Sequence, residues 1–268
     1  MIRRILNLLI SFCYYFYKII FTSSSNYPYT ILYYHSVLDR EKELFKKQLD
    51  FLKKHFDIYA INEHIKHDNL RPAISITFDD ALLSVLHNAQ PELISRRIPF
   101  TVFVPYNYIG KLPDWEVDSY ADIISEPVMN KAQLNLLDKT FCIIGSHTLT
   151  HAKLGQIEFS NVEEELIFSK ARLEELCGTK IDYISFPYGS YNDVVIELAR
   201  KAGYQKVYTI DYRPVDNDEF TSGRIGVTPK DWKIELYLKI YGGYFWKTGK
   251  HKKIFNSFIG NFNTAETN

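Results

Sequence analysis

The chain has 268 residues, with 32 Lys and Arg against 32 Asp and Glu, so its formal net charge is zero. This balance argues against a nucleic-acid-binding protein, which usually has a clear basic excess. The 46% of hydrophobic residues excludes a disordered chain. Three cysteines without a Cys-x-x-Cys pair exclude a disulfide framework and a cysteine-only metal site.

The first predicted element is an apolar helix at the N-terminus. After Arg3 and Arg4 the chain is largely apolar from Ile5 to Phe21, which is at the lower limit of the roughly 17–25 residues that span a membrane. Because no small-residue cleavage site follows, residues 1–21 are expected to form an uncleaved signal anchor, with the remaining chain on the outer, periplasmic or extracellular side. A helix lying on the membrane surface, an ordinary buried helix and a secreted form are the alternatives.

A folded domain is predicted to follow a short polar linker. The linker covers residues 22–28, the domain residues 29–241, and a basic, partly flexible tail residues 242–268. Residues 1–21 have three basic and no acidic residues, and the tail has four lysines and one glutamate. The chain between these ends therefore carries an excess of six acidic residues, and the basic ends favour an anionic membrane surface.

Strand and helix patterns alternate through the domain. Strands are predicted where β-branched and aromatic residues are consecutive, at residues 29–34, 73–78, 100–104, 141–144, 182–186 and 206–210. Helices are predicted between and after them, at residues 40–56, 82–97, 131–137, 160–177, 193–202 and 229–241, and a shorter element of unassigned type is predicted at residues 62–67. This alternation indicates parallel βα units, in either a barrel or a doubly wound sheet.

Three local features refine this pattern. Pro91 is expected to break or kink the helix that contains it. Ser160 and Glu163 are expected to form a capping box that opens a long helix, which Gly178 closes. Residues 111–130 have no clear periodicity, so they are predicted to form a loop over a binding face.

Three predicted strand ends carry residues suited to catalysis, and in parallel βα folds the active site lies at these ends. They are Asp79-Asp80, the pair His147 and His151, and Phe186-Pro187-Tyr188-Gly189. One aspartate and two histidines supply three metal ligands and leave positions open for water and substrate, as catalytic zinc sites do. Taken one at a time, the same residues also fit a helix N-cap, ordinary polar side chains and a plain turn.

Together these residues predict a hydrolytic metal centre. The second carboxylate, Asp79, is positioned to act as general base toward a water made more acidic by the metal. The backbone N–H of Tyr188, which follows a proline at a strand end, can stabilise the oxyanion that forms on an attacked carbonyl.

In these residues the sequence resembles the polysaccharide deacetylase family, the NodB-homology domain of carbohydrate esterase family 4. The matching segments are Thr77-Phe78-Asp79-Asp80, residues 146–151 and Phe186-Pro187-Tyr188-Gly189, in the family's order. Weaker similarities at residues 32–37, at residues 98–104 and at Arg224-Ile225 extend the resemblance over roughly residues 29–228.

The resemblance implies a distorted (β/α) barrel with fewer than eight parallel strands. It also implies metal-dependent hydrolysis of an N-acetyl group on a hexosamine, an amide bond that is not a peptide bond. Asp79 corresponds to the general base, Asp80, His147 and His151 to the metal ligands, and the N–H of Tyr188 to the oxyanion donor. Zinc is the expected metal, with cobalt or nickel as alternatives.

The sequence also departs from the family pattern. Ala81 stands where the family often has glycine, and Ser185 stands where it often has an arginine that supports the base. The family's late Leu-x-His motif, which supplies a general acid, has no counterpart, because the only histidine after His151 is His251 in the basic tail. His35, at the end of the first strand, is a candidate for this acid, with a hydrogen-bonded pocket wall as its alternative role.

The function predicted from these residues is N-deacetylation of an envelope or extracellular polysaccharide or glycoconjugate by a membrane-anchored enzyme. Its expected partners are the N-acetylated glycan and the membrane surface, and no nucleic acid. Two alternatives stay open: a non-catalytic or very slow glycan-binding barrel that has lost its general acid, and a deacetylase or deformylase of a membrane-linked glycolipid. The sequence predicts no oligomeric state.

Overall fold

The structure is a computed structural model that describes residues 2–21, 29–65, 71–115, 126–211 and 219–247. Eight strands within these residues form one parallel sheet. The strands are β1 (Tyr29–Tyr34), β2 (Asp57–Ile58), β3 (Ala73–Phe78), β4 (Phe100–Val104), β5 (Cys142–Ser146), β6 (Tyr183–Ser185), β7 (Lys206–Thr209) and β8 (Thr221–Gly226). The predicted linker and the predicted tail beyond residue 247 lie outside the described residues.

The sheet closes into a seven-stranded barrel. β1 pairs with β3 and with β8, and β4, β5, β6 and β7 connect β3 to β8 in sequential order. β2 is two residues long and pairs with the start of β3, so it extends the sheet outside the closed ring. The prediction of a distorted barrel with fewer than eight parallel strands is confirmed for this ring.

Side-chain alternation along the strands separates the barrel interior from the layer of helices. Phe78 of β3 belongs to the large apolar core that the helices share. Ser75 and Thr77 point the other way and hydrogen-bond to side chains of β1 and β8 across the interior. The next residue in this inward series is Asp79, so the strand pattern itself directs the predicted base toward the mouth of the barrel.

Helices surround the ring and supply the outer half of the core, through buried apolar faces on the longer ones. They are α1 (Ile2–Phe21), α2 (Lys42–His55), α3 (Gln90–Ser95), α4 (Lys131–Leu134), α5 (Phe159–Cys177), α6 (Asp193–Lys201) and α7 (Lys233–Ile240). A π-helical turn covers Val85–Ala89, and short 3-10 turns cover Asp39–Glu41, Tyr106–Tyr108, Leu154–Gln156, Pro187–Gly189 and Phe245–Lys247.

The six predicted strands are confirmed to within two residues at each end, whereas β2 and β8 were not predicted. β8 has the sequence Thr-Ser-Gly-Arg-Ile-Gly, and its two glycines have low intrinsic preference for a strand. Its position between β7 and β1 provides hydrogen-bond partners on both edges, so the tertiary structure imposes the extended conformation.

The structure corrects two predictions for the segments between the strands and confirms a third, the break near Pro91. The capping box at Ser160 is wrong, because α5 starts one residue earlier and its N-cap, Glu158, makes no side-chain cap hydrogen bond. The helix around Pro91 is divided into a π-helical turn and α3, with the proline in the first turn of α3, where its missing N–H costs least. The described part of the element predicted over 62–67, which ends at residue 65, contains neither helix nor strand.

The N-terminal helix α1 packs along α7. Arg4 Nε donates to Glu235 Oε1 at 2.8 Å, and the Arg4 guanidinium lies 4.2 Å from the centre of the Trp232 ring. Ser11 is fully buried and accepts a hydrogen bond of 2.8 Å from Trp246 Nε1. Within the described residues, no helix combines the length and the apolar composition that crossing a membrane requires.

Candidate active site

The three predicted metal ligands, Asp80, His147 and His151, meet at the ends of β3 and β5. Asp80 is the second residue after β3, and His147 and His151 begin and end the loop that follows β5. Oδ1 of Asp80 lies 3.4 Å from Nε2 of His147 and 3.2 Å from Nε2 of His151. All three side chains are buried, and their ligand atoms lie within 4.8 Å of one another. The structure therefore brings together residues that are about seventy positions apart in sequence.

The hydrogen bonds around these residues fit a cation at their centre. Nδ1 of His147 lies 2.8 Å from the carbonyl oxygen of Ser185, so Nδ1 carries the proton and Nε2 presents its lone pair toward Asp80. Among the described residues, Asp80 Oδ1 is buried without a hydrogen-bond partner. Buried polar atoms normally have partners, so an unsatisfied oxygen facing two imidazole nitrogens has the character of an open ligand set.

Asp79 is held by a buried arginine from β8. Nη1 and Nη2 of Arg224 donate to Oδ1 and Oδ2 of Asp79, each at 2.8 Å, and Arg224 is fully buried. Nη1 also donates to Thr77 Oγ1 at 3.0 Å, and Nη2 donates to the hydroxyl of Ser185. Ser185 is at the position where the family often has an arginine. In this chain the positive charge that pairs with the Asp79 carboxylate therefore comes from a different strand, β8. A bidentate pair of this kind fixes the orientation of the carboxylate as well as its charge.

The charge balance of the site is incomplete without a cation. Two neighbouring buried carboxylates are costly unless positive groups compensate them. Arg224 compensates Asp79, whereas the ion-pair contacts of Asp80 within the described residues are those with the two histidines. A divalent ion at the Asp80 oxygen and the two Nε2 atoms would supply the missing charge, so the residues fit the group that the family resemblance implies.

Burial by itself raises the pKa of both aspartates, and their partners reverse the shift. Arg224 and then His147 hold the pKa of Asp79 below its usual value. The contacts with His147 and His151 hold the pKa of Asp80 well below its usual value. Both groups are therefore carboxylates at neutral pH, as a general base and a metal ligand must be.

The two histidines shift in opposite directions. Burial lowers the pKa of His147, but the neighbouring Asp79 and Asp80 outweigh burial and raise it. For His151 burial is the larger effect, so the pKa is lowered and the ring is neutral at neutral pH. A neutral imidazole is the form that binds a metal ion.

Left-handed backbone conformations are concentrated at the site. Six non-glycine residues in the described chain have positive φ, and five of them are in the site segments: Asp80, Ala81, Thr148, His151 and Tyr188. Such conformations cost about 1–2 kcal/mol each in residues with a Cβ atom. Ala81, with φ of 51°, explains the family's frequent glycine at this position, because glycine adopts the same conformation without strain.

Glu165 of α5 shapes the loop between the two histidines. One of its carboxylate oxygens accepts the backbone N–H groups of Leu149 and Thr150, at 2.8 and 2.9 Å, and the other accepts the Thr150 hydroxyl. Glu165 is itself buried. A buried carboxylate that binds two consecutive N–H groups fixes the loop and thereby the positions of the rings that it carries.

Aromatic side chains form the wall beside His151. The Trp115 ring is stacked on the His151 ring at a centroid distance of 4.0 Å and an interplanar angle of 21°. Tyr188 contacts the same imidazole edge-on at 4.9 Å, and Lys153 Nζ lies 4.9 Å from the centre of the Tyr188 ring. Trp115 belongs to the predicted loop over 111–130, whose described part has neither helix nor strand apart from an isolated β-bridge.

His35 is on the same rim of the barrel. In the pairing of β1 with β3, Tyr34 is opposite Phe78, so His35 and Asp79 leave their strands at the same level. His35 is partly exposed, and its ring contacts Tyr33 edge-on at 5.6 Å. After burial and their closer partners, His35 contributes to the lowering of the pKa of both Asp79 and Asp80. The candidate acid is therefore on the same rim of the barrel as the two carboxylates.

Three residues that contact the predicted site residues, or the loop between the two histidines, were not predicted to do so: Trp115, Glu165 and Arg224. Arg224 had a sequence signal, because a charged residue within Gly-Arg-Ile-Gly matched the family weakly. Glu165 looked like one of several glutamates on a helical surface, and Trp115 is within a stretch without periodicity. Their contacts depend on how α5 and the loop pack on the barrel, which no local pattern encodes.

The chain is similar in sequence to known deacetylases. Residues 66–207, just over half of the chain, match the family model described as polysaccharide deacetylase. The YxkH protein of Bacillus subtilis is 26% identical over 158 residues, and this match spans about half (52%) of its length. The poly-β-1,6-N-acetyl-D-glucosamine N-deacetylase of Staphylococcus epidermidis is 28% identical over 227 residues, which cover 78% of this chain and 73% of the relative.

Solved structures agree with the family match. IcaB from Ammonifex degensii is 25% identical, with a TM-score of 0.63, and the match covers 79% of this chain and 97% of that one. The deacetylase PplD from Streptococcus pyogenes has the same fold, with a TM-score of 0.65 at 19% identity over 81% of this chain and 99% of that one. The prediction of a hydrolase acting on amide bonds other than peptide bonds is confirmed at the level of the family. By its sequence, its barrel and its cluster of two aspartates and two histidines, this chain belongs to the polysaccharide deacetylase family.

Proposed function

We propose that this protein removes N-acetyl groups from hexosamine units of an envelope or extracellular polysaccharide. The observation that carries the proposal is the buried cluster of Asp80, His147 and His151 directly beside Asp79, the carboxylate that Arg224 holds. The similarity to the Staphylococcus epidermidis relative supports a β-1,6-linked poly-N-acetylglucosamine as the first substrate to test. The reaction is hydrolysis of the acetamide C–N bond, which yields acetate and a free amine on the sugar.

Asp80, His147 and His151 would hold the metal ion. Two imidazoles and one carboxylate fit zinc best, with cobalt or nickel as alternatives, and three protein ligands leave room for water and substrate. A divalent ion bound there supplies Lewis acidity, which makes water more acidic and polarises a carbonyl group.

Asp79 acts as the general base in this proposal. Its two oxygens accept hydrogen bonds from Arg224, and Oδ2 also accepts one from the Ser185 hydroxyl at 3.5 Å. Oδ1 has a second lone pair with which it can take a proton from the attacking water. Arg224 is a positioning residue, because it holds the carboxylate in one orientation but is fully buried away from substrate. The depressed pKa of Asp79 keeps the base ionised over the neutral range.

Tyr188 stabilises the oxyanion through its backbone N–H. The residue has φ of 56° in the turn Pro187–Gly189, and its ring contacts the ligand His151. A strained turn at a strand end holds a backbone N–H in a fixed direction, and such preorganised donors stabilise the charge that develops in acyl transfer.

His35 supplies the proton to the leaving amine. The chain has no late Leu-x-His motif, and His251 lies outside the described residues. His35 leaves β1 at the level of Asp79 and is partly exposed, so substrate can approach it from the mouth of the barrel. Protonation of the amine nitrogen as the C–N bond breaks avoids expulsion of an amide anion.

Acetate release tests this function directly. The full chain is loaded with zinc and incubated with β-1,6-linked N-acetylglucosamine oligomers, and acetate and new amines are quantified together. Asp79→Asn should lower the rate by about 10²–10⁴, while Asp50→Asn, at a largely exposed aspartate on α2, should retain the wild-type rate. Zinc content and circular dichroism establish that both variants are folded and loaded.

Two outcomes would contradict the proposal. Equal rates for wild type and Asp79→Asn would exclude the proposed base. Zinc binding together with glycan affinity, but without acetate release from β-1,6- or β-1,4-linked oligomers, would instead identify a glycan-binding barrel without catalytic activity.

A further inference from the structure

α1 has one side that packs on the catalytic barrel. Arg4, Leu8, Ser11 and Tyr15 follow one another at helical spacing and all face the body of the protein. Tyr15 contacts edge-on the ring of Tyr237 in α7, at a centroid distance of 6.3 Å, and the ring of Tyr241 directly after α7, at 6.1 Å. These contacts extend over about three turns, so α1 is docked along its length rather than at one end.

The opposite side of α1 is exposed and apolar. Its large side chains are between 41% and 84% exposed: Ile2, Ile5, Leu6, Leu9, Phe12, Phe16, Tyr17, Ile19 and Ile20. They make up half of the exposed large hydrophobic side chains in the described residues, although α1 has only 20 residues. Scattered apolar residues on a surface need no explanation, but a continuous stripe of this size indicates an interaction surface.

The charges around this stripe favour an anionic lipid surface over a second copy of the chain. Residues 2–21 contain basic residues and no acidic ones. Trp246 hydrogen-bonds to Ser11, and the sequence after Trp246 has lysines at positions 247, 250, 252 and 253. In a symmetric dimer formed through the stripe, the basic residues of the two α1 helices would lie near each other and repel, whereas a bilayer with anionic headgroups attracts them.

The contacts between α1 and α7 determine how α1 can bind a membrane. A helix that crosses the bilayer is surrounded by lipid, so α1 could span it only if Arg4 entered the lipid and lost its contact with Glu235. A helix that keeps its contacts with α7 can insert only its outer stripe, which is how interfacial helices bind. The protein would then rest on the membrane by the flank of the barrel.

The direction of α1 also orients the active site. The carbonyl oxygen of Ile240, at the end of α7, accepts a hydrogen bond from Thr30 near the start of β1, so α7 runs from the catalytic end of the barrel toward the opposite end. Arg4 contacts Glu235 in the first half of α7, and Tyr15 contacts Tyr241 directly after its end, so α1 runs in the same direction. With α1 lying in the membrane surface, the mouth of the barrel opens along the surface rather than into it.

We propose that α1 is an interfacial helix that holds the barrel on an anionic lipid surface by its outer apolar stripe, while its inner stripe stays on α7. This replaces the spanning anchor expected from the sequence with a helix that lies on the membrane. The proposal is independent of the catalytic assignment, because none of the residues in the outer stripe contributes to the active site.

Vesicle binding by the full chain tests the proposal. Co-sedimentation is measured with vesicles of phosphatidylcholine alone and of phosphatidylcholine mixed with phosphatidylglycerol, at low and at high salt. Leu9→Gln, Phe12→Gln and Phe16→Gln are combined in one variant, and the matched control combines Leu44→Gln, Ile167→Gln and Val194→Gln, which replace exposed apolar residues elsewhere. Acetate release from soluble oligomers and circular dichroism are recorded for both.

We expect the wild type and the control to bind mixed vesicles more tightly than neutral ones, and high salt to weaken but not abolish binding. The triple variant on α1 should bind at least about tenfold more weakly, because three large apolar side chains no longer enter the lipid. Cys13 is the only exposed cysteine of the three, so a polarity-sensitive dye on it should report an apolar environment when vesicles are added.

Several results would overturn the proposal. These are equal vesicle binding by the wild type and the α1 variant, complete release by salt alone, or no dye response at Cys13. If the wild type does not bind vesicles but forms a dimer, and the α1 variant does not form it, a second copy of the chain covers the apolar stripe. Resistance of the membrane-bound protein to alkaline carbonate, with proteolytic protection of α1, would identify a spanning helix.

Discussion

The pairing of Arg224 with Asp79 allows a carboxylate to stay ionised in a buried position. Both oxygens of Asp79 are bound at 2.8 Å, and the guanidinium is flanked by the rings of Tyr33 and Phe103 at 4.9 and 5.2 Å. Such a pair contributes less to stability than its short distances suggest, because both charges are desolvated, but removing one partner leaves a buried charge without compensation. The pair therefore couples the folding of β8 to the chemistry at the end of β3.

This coupling predicts a specific pattern in a double-mutant cycle. Arg224→Met should lower the free energy of unfolding by about 3–5 kcal/mol, because it leaves Asp79 buried and unpaired. Adding Asp79→Asn should recover part of this loss, because the double variant buries no unpaired charge. Urea unfolding of the wild type, both single variants and the double variant gives the four values, and additive losses would mean that the pair does not act as a unit.

His35 yields a prediction that separates a proton donor from a structural side chain. His35→Gln should lower kcat for N-acetylglucosamine oligomers by about 10²–10⁴, because the leaving amine is no longer protonated. An acetyl ester with a good leaving group needs no such proton, so its hydrolysis should fall far less. His87→Gln, at an exposed histidine, serves as the control. An equal loss on both substrates would assign His35 to positioning or folding instead.

The site could be predicted from sequence only where chemistry and spacing coincide. The residues Asp79, Asp80, His147 and His151 are recognisable because each directly follows a strand pattern or is separated from its partner by one helical turn. The sequence has no arginine at position 185 to support the base, and Arg224 takes this role because β8 closes the ring beside β1. A local sequence pattern does not show that a side chain from one strand replaces the function of a side chain from another strand.

Turns with left-handed residues contribute to stability in opposite ways at two helix ends. Arg97, just beyond α3, has φ of 55° and is exposed, while Gly178, at the end of α5, has φ of 64° and open space where a Cβ atom would be. We expect Arg97→Gly to raise, and Gly178→Ala to lower, the free energy of unfolding by about 1 kcal/mol. Thermal unfolding measures both changes. Arg97→Ala is the control, and a gain as large as that of the glycine variant would show that the arginine side chain, and not its backbone, was unfavourable.

The docking of α1 depends on an ion pair that responds to pH. Burial raises the pKa of Glu235, but Arg4 and the backbone N–H of Trp232 outweigh it and lower the pKa below its usual value. A carboxylate with a depressed pKa stabilises the folded state above the unfolded pKa of about 4.3, and this contribution is lost as the pH falls through the folded value. The attachment of α1 should therefore weaken in acid.

Arg4→Gln tests this dependence. The melting temperature of the variant should be below that of the wild type at neutral pH, and the difference should shrink as the pH falls below about 4. Arg200→Gln, which removes an exposed ion pair with Glu197 at 4.0 Å, should change little at either pH. A difference for Arg4→Gln that is the same at all pH values would mean that the contact of the guanidinium with Trp232, and not the ion pair, holds the helix.

The strands show which parts of the fold are determined by the local sequence and which depend on tertiary contacts. β1, β3 and β4 were predicted to the residue because each is a short segment rich in β-branched and aromatic side chains, without a charged residue, glycine or proline, and is largely buried on both faces of the sheet. β8 has a weak local signal and is extended because the ring must close. The helix start at α5 was misplaced for a related reason: Ser160 and Glu163 match a capping pattern, but the chain enters the helix one residue earlier.

The molecule as a whole has an active site built by elements that are distant in sequence. Asp80 follows β3, the histidines follow β5, Arg224 comes from β8, and α5 supplies the carboxylate that fixes the histidine loop. A ligand that binds only when these parts are assembled stabilises the folded state by mass action. The metal ion should therefore act on the stability of the entire barrel and not only on its activity.

Thermal unfolding with and without metal tests this link. When the free zinc concentration is about 100 times the dissociation constant, zinc should add about 2.7 kcal/mol to the folded state. For a chain of this length, this raises the melting temperature by roughly 5–10 °C, and a chelator should reverse the shift. His147→Ala should abolish the shift, because it removes one of three ligands, whereas His87→Gln should retain it. A zinc shift that persists in His147→Ala would place the stabilising ion elsewhere in the chain and would separate metal binding from the proposed chemistry.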